Sequence, residues 1–190
     1  MKTKILIILA LFAILTSSCH KCRNLYPDYQ LKDVDKQMMP YEKGQTVKFI
    51  DTDGKTFNFT VTKWSINTVP NHHCEGVETL KGKLASEQHT INFDFYMQCY
   101  EGAFVRVKVS KFSFELLYNK YGNFFTSNSY SIRPQYFHDS LEINNKIYYD
   151  VVERIKYDGY NVFEARILYN KTYGVLQYED KNKVFLMIDN

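Results

Sequence analysis

Ile91-Asn92-Phe93-Asp94-Phe95-Tyr96-Met97-Gln98-Cys99 alternates apolar and polar side chains without a break. A period of two is the mark of a β-strand with one face in a core, because successive side chains leave a strand on opposite sides. Ile91, Phe93, Phe95, Met97 and Cys99 therefore line one face, and Asn92, Asp94, Tyr96 and Gln98 the other. The pattern continues on both sides. Upstream, Val47 and Phe49, then Phe57, Phe59 and Val61, flank the turn Thr52-Asp53-Gly54 as a β-hairpin. Downstream, Glu101-Gly102 turns the chain into residues 104–116, where Val105, Val107 and Val109 give way to Phe112, Phe114 and Leu116 in the opposite phase. That change of phase predicts a bulge near Lys111.

Further strands are predicted at 141–143, 147–155, 162–169, 175–179 and 184–188, with turns at Asn144-Asn145, Asp158-Gly159, Gly174 and Asp180-Lys181-Asn182. About ten strands, short connections and no long helical period give an all-β, antiparallel domain over residues 44–190. A strongly twisted sheet, barrel-like or folded into a sandwich, is the expected architecture. The preceding stretch, residues 19–43, has scattered charges and two prolines and reads as a tether, with a helical turn or two at Leu31-Lys32-Asp33-Val34-Asp35-Lys36.

At the N-terminus, Lys2 and Lys4 precede an apolar run of 11 residues, Ile5 to Leu15, and Thr16-Ser17-Ser18 leads into Cys19. This reads as a signal peptide over residues 1–18. As a helix the run spans only about 16 Å, roughly half a bilayer core, which is too short to anchor. Leu15-Thr16-Ser17-Ser18-Cys19 resembles the lipobox of bacterial lipoproteins, in its looser Bacteroidota-type form with Leu four positions before the Cys. The resemblance implies an acylated Cys19 as the first residue of the mature chain, a membrane partner reached through that lipid, and an outer-membrane location facing periplasm or surface. The alternative is ordinary secretion, with Cys19 removed or disulfide-bonded.

Two segments resemble each other: Phe114-Glu115-Leu116-Leu117-Tyr118-Asn119-Lys120-Tyr121-Gly122, and Phe163-Glu164 followed by Leu168-Tyr169-Asn170-Lys171-Thr172-Tyr173-Gly174. Two copies do not make a solenoid, so they read as a reused strand-to-turn element. The stretch 167–188 resembles the C-terminal hairpin of many uncharacterised Bacteroidota-type lipoproteins, which implies localisation and a β-rich fold but no activity.

Charge bounds the partners. Of 24 basic and 21 acidic residues, removal of residues 1–18 takes away two lysines and no acid, leaving a net charge of +1. A chain this balanced lacks the electrostatic footprint of a nucleic-acid binder. Catalytic signatures are also missing: the chain has no Gly-x-Ser-x-Gly elbow, no Gly-rich phosphate loop and no cofactor motif, and it reads as a non-enzyme without cofactor. His72-His73-Cys74-Glu75 and His89 are zinc-type ligands in a spacing that fits no zinc motif, so no metal site is expected.

Three cysteines remain beside Cys19. Cys74 and Cys99 lie in the folded region and Cys22 in the tether, which favours a Cys74–Cys99 disulfide over a Cys99 that is merely a small buried hydrophobe. Asp139-Ser140-Leu141 resembles the short O-glycosylation acceptor of the same bacterial group, or is a loop entering a strand. Finally, Trp64 shares a parity with Thr56, Asn58, Thr60 and Thr62, and Tyr96 and Tyr100 share one with Asn92, Asp94 and Gln98. Aromatics among hydrogen-bonding side chains can serve as a sugar platform, but a polar sheet face more often has its aromatics packed beneath a loop or, here, the N-terminal tether. The expected role is thus a non-catalytic envelope lipoprotein with a binding or structural β domain, its partner a glycan or an envelope protein. The alternatives are an apolar-ligand carrier and a glycan-binding module.

Overall fold

The computed structural model describes residues 27–70, 76–98, 104–118, 121–124, 135–158, 160–181 and 185–189. Twelve strands form one sheet: β1 (Pro27–Tyr29), β2 (Thr46–Ile50), β3 (Thr56–Pro70), β4 (Gly76–Ala85), β5 (Asn92–Gln98), β6 (Phe104–Val109), β7 (Phe112–Leu117), β8 (Gln135–Ile143), β9 (Lys146–Tyr157), β10 (Phe163–Asn170), β11 (Gly174–Asp180) and β12 (Phe185–Ile188). A single short helix, α1 (Asp33–Lys36), precedes β2. The strand order is β7-β6-β5-β4-β3-β2-β12-β11-β10-β9-β8, antiparallel at every step, while β1 adds to β4 in parallel at Gly76 and Val77. The all-β, antiparallel, barrel-like expectation holds.

Curvature follows from the inner face. Phe49 of β2, Phe59 of β3, Phe93 of β5, Phe114 of β7 and Tyr178 of β11 meet with ring centroids 5.2 to 6.5 Å apart, mostly edge to face or tilted. Strands β5 and β11 are far apart along the sheet, so rings from both can touch only if the sheet curls onto itself. Alternation serves this closure: in β6 Val105, Val107 and Val109 are buried, while Lys108 between them is exposed. Apolar side chains in and charged side chains out is the inverse of the pattern of a membrane-spanning barrel.

An odd number of strands on the main path leaves the end strands β7 and β8 running the same way, and they do not form a regular ladder. The seam is closed by a side chain. Fully buried Gln135 accepts the Leu117 N–H at Oε1 and donates from Nε2 to the Leu117 carbonyl, both at 2.9 Å. A carboxamide has the donor and acceptor of a peptide group, so it supplies one rung where two strands cannot.

Residues 31–41, expected as part of a tether, are packed into the barrel: Leu31, Met38, Met39 and Tyr41 all belong to the core. The segment is tied to both halves of the sheet. Leu31 N–H donates to Glu78 of β4 at 2.8 Å, and the Tyr118 hydroxyl just past β7 donates to buried Asp35 at 3.1 Å. The Tyr169 hydroxyl of β10 donates to the Met38 carbonyl at 2.6 Å, and Val175 N–H of β11 donates to the Tyr41 hydroxyl at 2.7 Å. Here the two resembling segments acquire a common purpose. In each, the leading tyrosine holds the N-terminal segment and the closing glycine, at positive φ, leaves no room for a Cβ. Val34 fills that space at Gly122 (φ 75°) and the Tyr41 phenol fills it at Gly174 (φ 79°). Asn170 shapes the second turn by accepting Thr172 and Tyr173 N–H at its side-chain oxygen.

Two local expectations are corrected. The phase change near Lys111 is a hairpin turn, not a bulge: Val109 pairs with Phe112, and Ser110 takes a φ of 52°. Strand β4 was not foreseen, and β3 runs to Pro70 to pair with it. At Asn144-Asn145 the turn is as expected, both residues having positive φ.

Candidate functional site

A bulge in β3 decides which aromatics face outward. Val61 pairs with Leu84 of β4, but Lys63 pairs with Lys83, so Thr62 is the extra residue and the parity of β3 flips beyond it. Trp64 then falls opposite Gly82, in the inward row that continues through Phe95, Val107 and Phe114. Its indole packs against the core, and a Cβ on Gly82 would stand 3.0 Å from the ring and 3.4 Å from Met39. Tyr96 belongs to the adjacent outward row, Ser65–Lys81–Tyr96–Arg106–Glu115. Trp64 and Tyr96 are therefore on opposite faces of the sheet and do not form one platform. Tyr100, Cys19, Cys22, the Cys74–Cys99 pairing and His72-His73-Cys74-Glu75 lie outside the described residues.

What the sheet brings together around Tyr96 is a set of cations. The Lys81 ammonium stands 5.8 Å from the Tyr96 ring centroid and the Arg106 guanidinium 5.7 Å, both within cation–π range. Arg106 also covers Phe104 at 5.2 Å and donates from Nε to Glu115 at 3.0 Å. The Tyr96 hydroxyl donates to Gln98 Oε1. Partial burial pushes the Tyr96 phenol up, against the opposing charge of Arg106. One row along, Asp94 lies between Lys83 and Lys108. Among the described side chains of the two rows four cations face two carboxylates, and one of those, Glu115, is engaged by Arg106.

Between the rows is a cleft of about 320 Å³, lined by Ser65, Lys81, Lys83, Asp94 and Tyr96 with the backbone of Gly82 and Phe95. A second cleft, of about 430 Å³, is lined by Asn58, Thr60, Thr62, Ser86, Glu87 and Gln88. Thr60 pairs with Ala85, two positions from Lys83, so the clefts follow one another on the outer face of β3–β5. The sequence held a signal for the lysines: Leu80, Gly82 and Leu84 alternate with Lys81 and Lys83.

Other constellations are ties rather than sites. On the outside of β8–β11, His138 contacts Glu153 at 2.8 Å, Glu153 contacts Arg166 at 3.5 Å, and Arg166 contacts Glu179 at 2.8 Å. Arg166 thus sits between two carboxylates, Glu153 and Glu179, on the neighbouring strands. His89 packs edge-on to Phe57 at 4.9 Å and accepts the Ile91 N–H at Nδ1. Among the described residues no group of three His, Cys, Asp or Glu side chains is placed to hold a metal ion. Asp139 and Ser140 are exposed within β8, not in a loop before it. Among the described residues no helix is long and apolar enough to cross a membrane. No family model, no curated protein and no solved structure matches the chain, so its functional reading rests on its own residues.

Proposed function

We propose that the chain is a non-catalytic bacterial cell-envelope lipoprotein, held at the outer membrane through acylated Cys19, whose β domain is a binding module that engages its ligand on the outer face of β3–β6. The observation that carries this reading is the division of chemistry across the sheet. Inward positions are taken up by interlocked aromatic rings and by the N-terminal segment, whereas outward positions offer two clefts beside a half-buried tyrosine flanked by cations. Recognition by such a module takes place outside the barrel. An apolar-ligand carrier requires the reverse, a room inside it.

The anchor reading is supported by Leu15-Thr16-Ser17-Ser18-Cys19 after a short apolar run. From Cys19 to Pro27, where β1 joins the sheet, the chain can span at most about 28 Å, so an acylated protein keeps its domain close to the membrane. Both halves are tested on protein recovered from the native envelope. Intact mass is expected to show the loss of residues 1–18 with added acyl mass, and Cys19→Ala is expected to release the protein from the membrane. A photo-crosslinking residue in place of Lys81 is expected to capture a co-purifying molecule. An unacylated chain, or a ligand captured only from inward positions such as 64, contradicts the proposal.

A further inference from the structure

We infer that the outer face of β3–β6 takes an acidic polysaccharide, with sugar hydroxyls along the Asn58–Thr62 end and carboxylates or sulfates at the Lys81–Tyr96–Arg106 end. The inference rests on the binding-module reading above and specifies its ligand. Three observations point the same way. The first is extent: the two clefts occupy consecutive rows, and from Asn58 to Ser65 strand β3 runs for about 20 Å, a length suited to several linked sugars rather than to one small molecule. The second is the change of chemistry along the track. Asn58, Thr60, Thr62 and Gln88 offer amides and hydroxyls that donate and accept, which matches sugar hydroxyls. At the far end Tyr96 offers a ring partly open to solvent, a surface on which a pyranose can lie.

The third is charge. Lys81 and Lys83 line the Tyr96 cleft and Arg106 and Lys108 flank it, against Asp94 and Glu115, the latter paired with Arg106, while the carboxylate of the neighbouring cleft, Glu87, belongs to the Asn58–Thr62 end of the track. An anion seated above Tyr96 meets more positive than negative charge, and a neutral sugar gains nothing from those cations. A long, flat anionic polymer fits this surface better than a lipid headgroup, because its recognition groups are distributed along a strand rather than gathered in one basin.

The test is affinity electrophoresis of the full mature chain, in detergent, through gels holding polygalacturonate, alginate, hyaluronan or chondroitin sulfate, with methyl-esterified polygalacturonate and dextran as neutral counterparts. At least one acidic polymer is expected to retard the protein, with retardation falling as salt rises. Esterification is expected to weaken binding about tenfold or more, and Lys81→Ala/Lys83→Ala to do the same, while Tyr96→Ala weakens both the acidic and the esterified polymer. Retardation by a neutral polymer as strong as by its acidic form overturns the acidic assignment while leaving the binding face standing. No retardation in any gel, or retardation unchanged in both variants, overturns the assignment of a glycan to this face. Capture by anionic phosphatidylglycerol vesicles without capture by any polysaccharide gives the face to a membrane surface and overturns it as well.

Discussion

The side chain of Gln135 holds the main chain of Leu117 at both of its polar atoms, at 2.9 Å each, where the end of β7 meets the start of β8. Replacing it by Leu keeps most of the volume and removes both bonds. Two part-buried main-chain groups are then left without these partners, at a cost of up to about 1–3 kcal/mol each. Gln135→Leu is therefore expected to lower unfolding free energy in urea by about 2–5 kcal/mol. Amide exchange at Leu117 is expected to rise more than at Phe93, which lies mid-sheet.

Gly174 and Tyr41 are expected to be energetically coupled. Gly174→Ala must both hold alanine at positive φ and displace the Tyr41 ring, and is expected to cost about 3 kcal/mol or more. In a Tyr41→Ala background the ring is gone and only the backbone strain remains, about 1–2 kcal/mol. A double-mutant cycle by chemical denaturation measures the difference directly. Purely additive losses count against the docked position of residues 38–41.

Opposite faces imply opposite mutational profiles. Trp64→Ala removes an indole packed on Gly82 and against the core, and is expected to cost about 3 kcal/mol. Tyr96→Ala removes a half-exposed ring and is expected to cost no more than about 1 kcal/mol. Thermal denaturation of the two variants side by side checks the bulge at Thr62, because without it the order of the losses reverses.

His89 links stability to pH. Burial holds its imidazole below the ordinary value of 6.5, with Asp51 opposing and Lys55 reinforcing that shift. Between the folded and ordinary values the unfolded chain binds more protons, so the histidine's contribution is whole above about 6.5 and shrinks as pH falls through that window. Protonation at Nδ1 also turns the acceptor of the Ile91 N–H into a second donor. His89→Asn keeps an acceptor two residues before Ile91 without titrating in this range. The melting temperature of the wild type is expected to drop more steeply than that of His89→Asn between pH 7 and 5, as read by circular dichroism at a series of pH values.

Legibility in the sequence followed the regularity of the chain. Residues 92–98 read correctly because alternation there is unbroken and both neighbouring strands keep register. Trp64 was misplaced because one extra residue, Thr62, inverts everything after it, and nothing in Val61-Thr62-Lys63 marks a bulge. The burial of Leu31, Met38, Met39 and Tyr41 was invisible for a different reason. They follow no period, and what buries them lies in Tyr118, Tyr169 and Gly174, far along the chain. The charged face was half legible: Tyr96 was found on its strand, but Lys81 and Lys83 became its neighbours only once β4 paired with β5.

The N-terminal segment also constrains the order in which the molecule can be made. Tyr41 and Val175 are separated by 134 positions and Met38 and Tyr169 by 131, so the earliest part of the domain to leave a ribosome or a membrane pore has its partners among the latest. Contacts of such high sequence separation are slow to form, because the loop between them must be closed before they return any energy. Until β10 and β11 arrive, residues 31–41 and the inner rings of β2 to β7 stay exposed together, and the growing chain is an open apolar sheet rather than a half-built barrel. Burst-phase collapse followed by one slow phase in which Tyr41 becomes buried is the expected refolding record. A chain cut before Tyr169 is expected to stay open and aggregate, which makes the arrival of β10 and β11 the step that renders the whole surface safe.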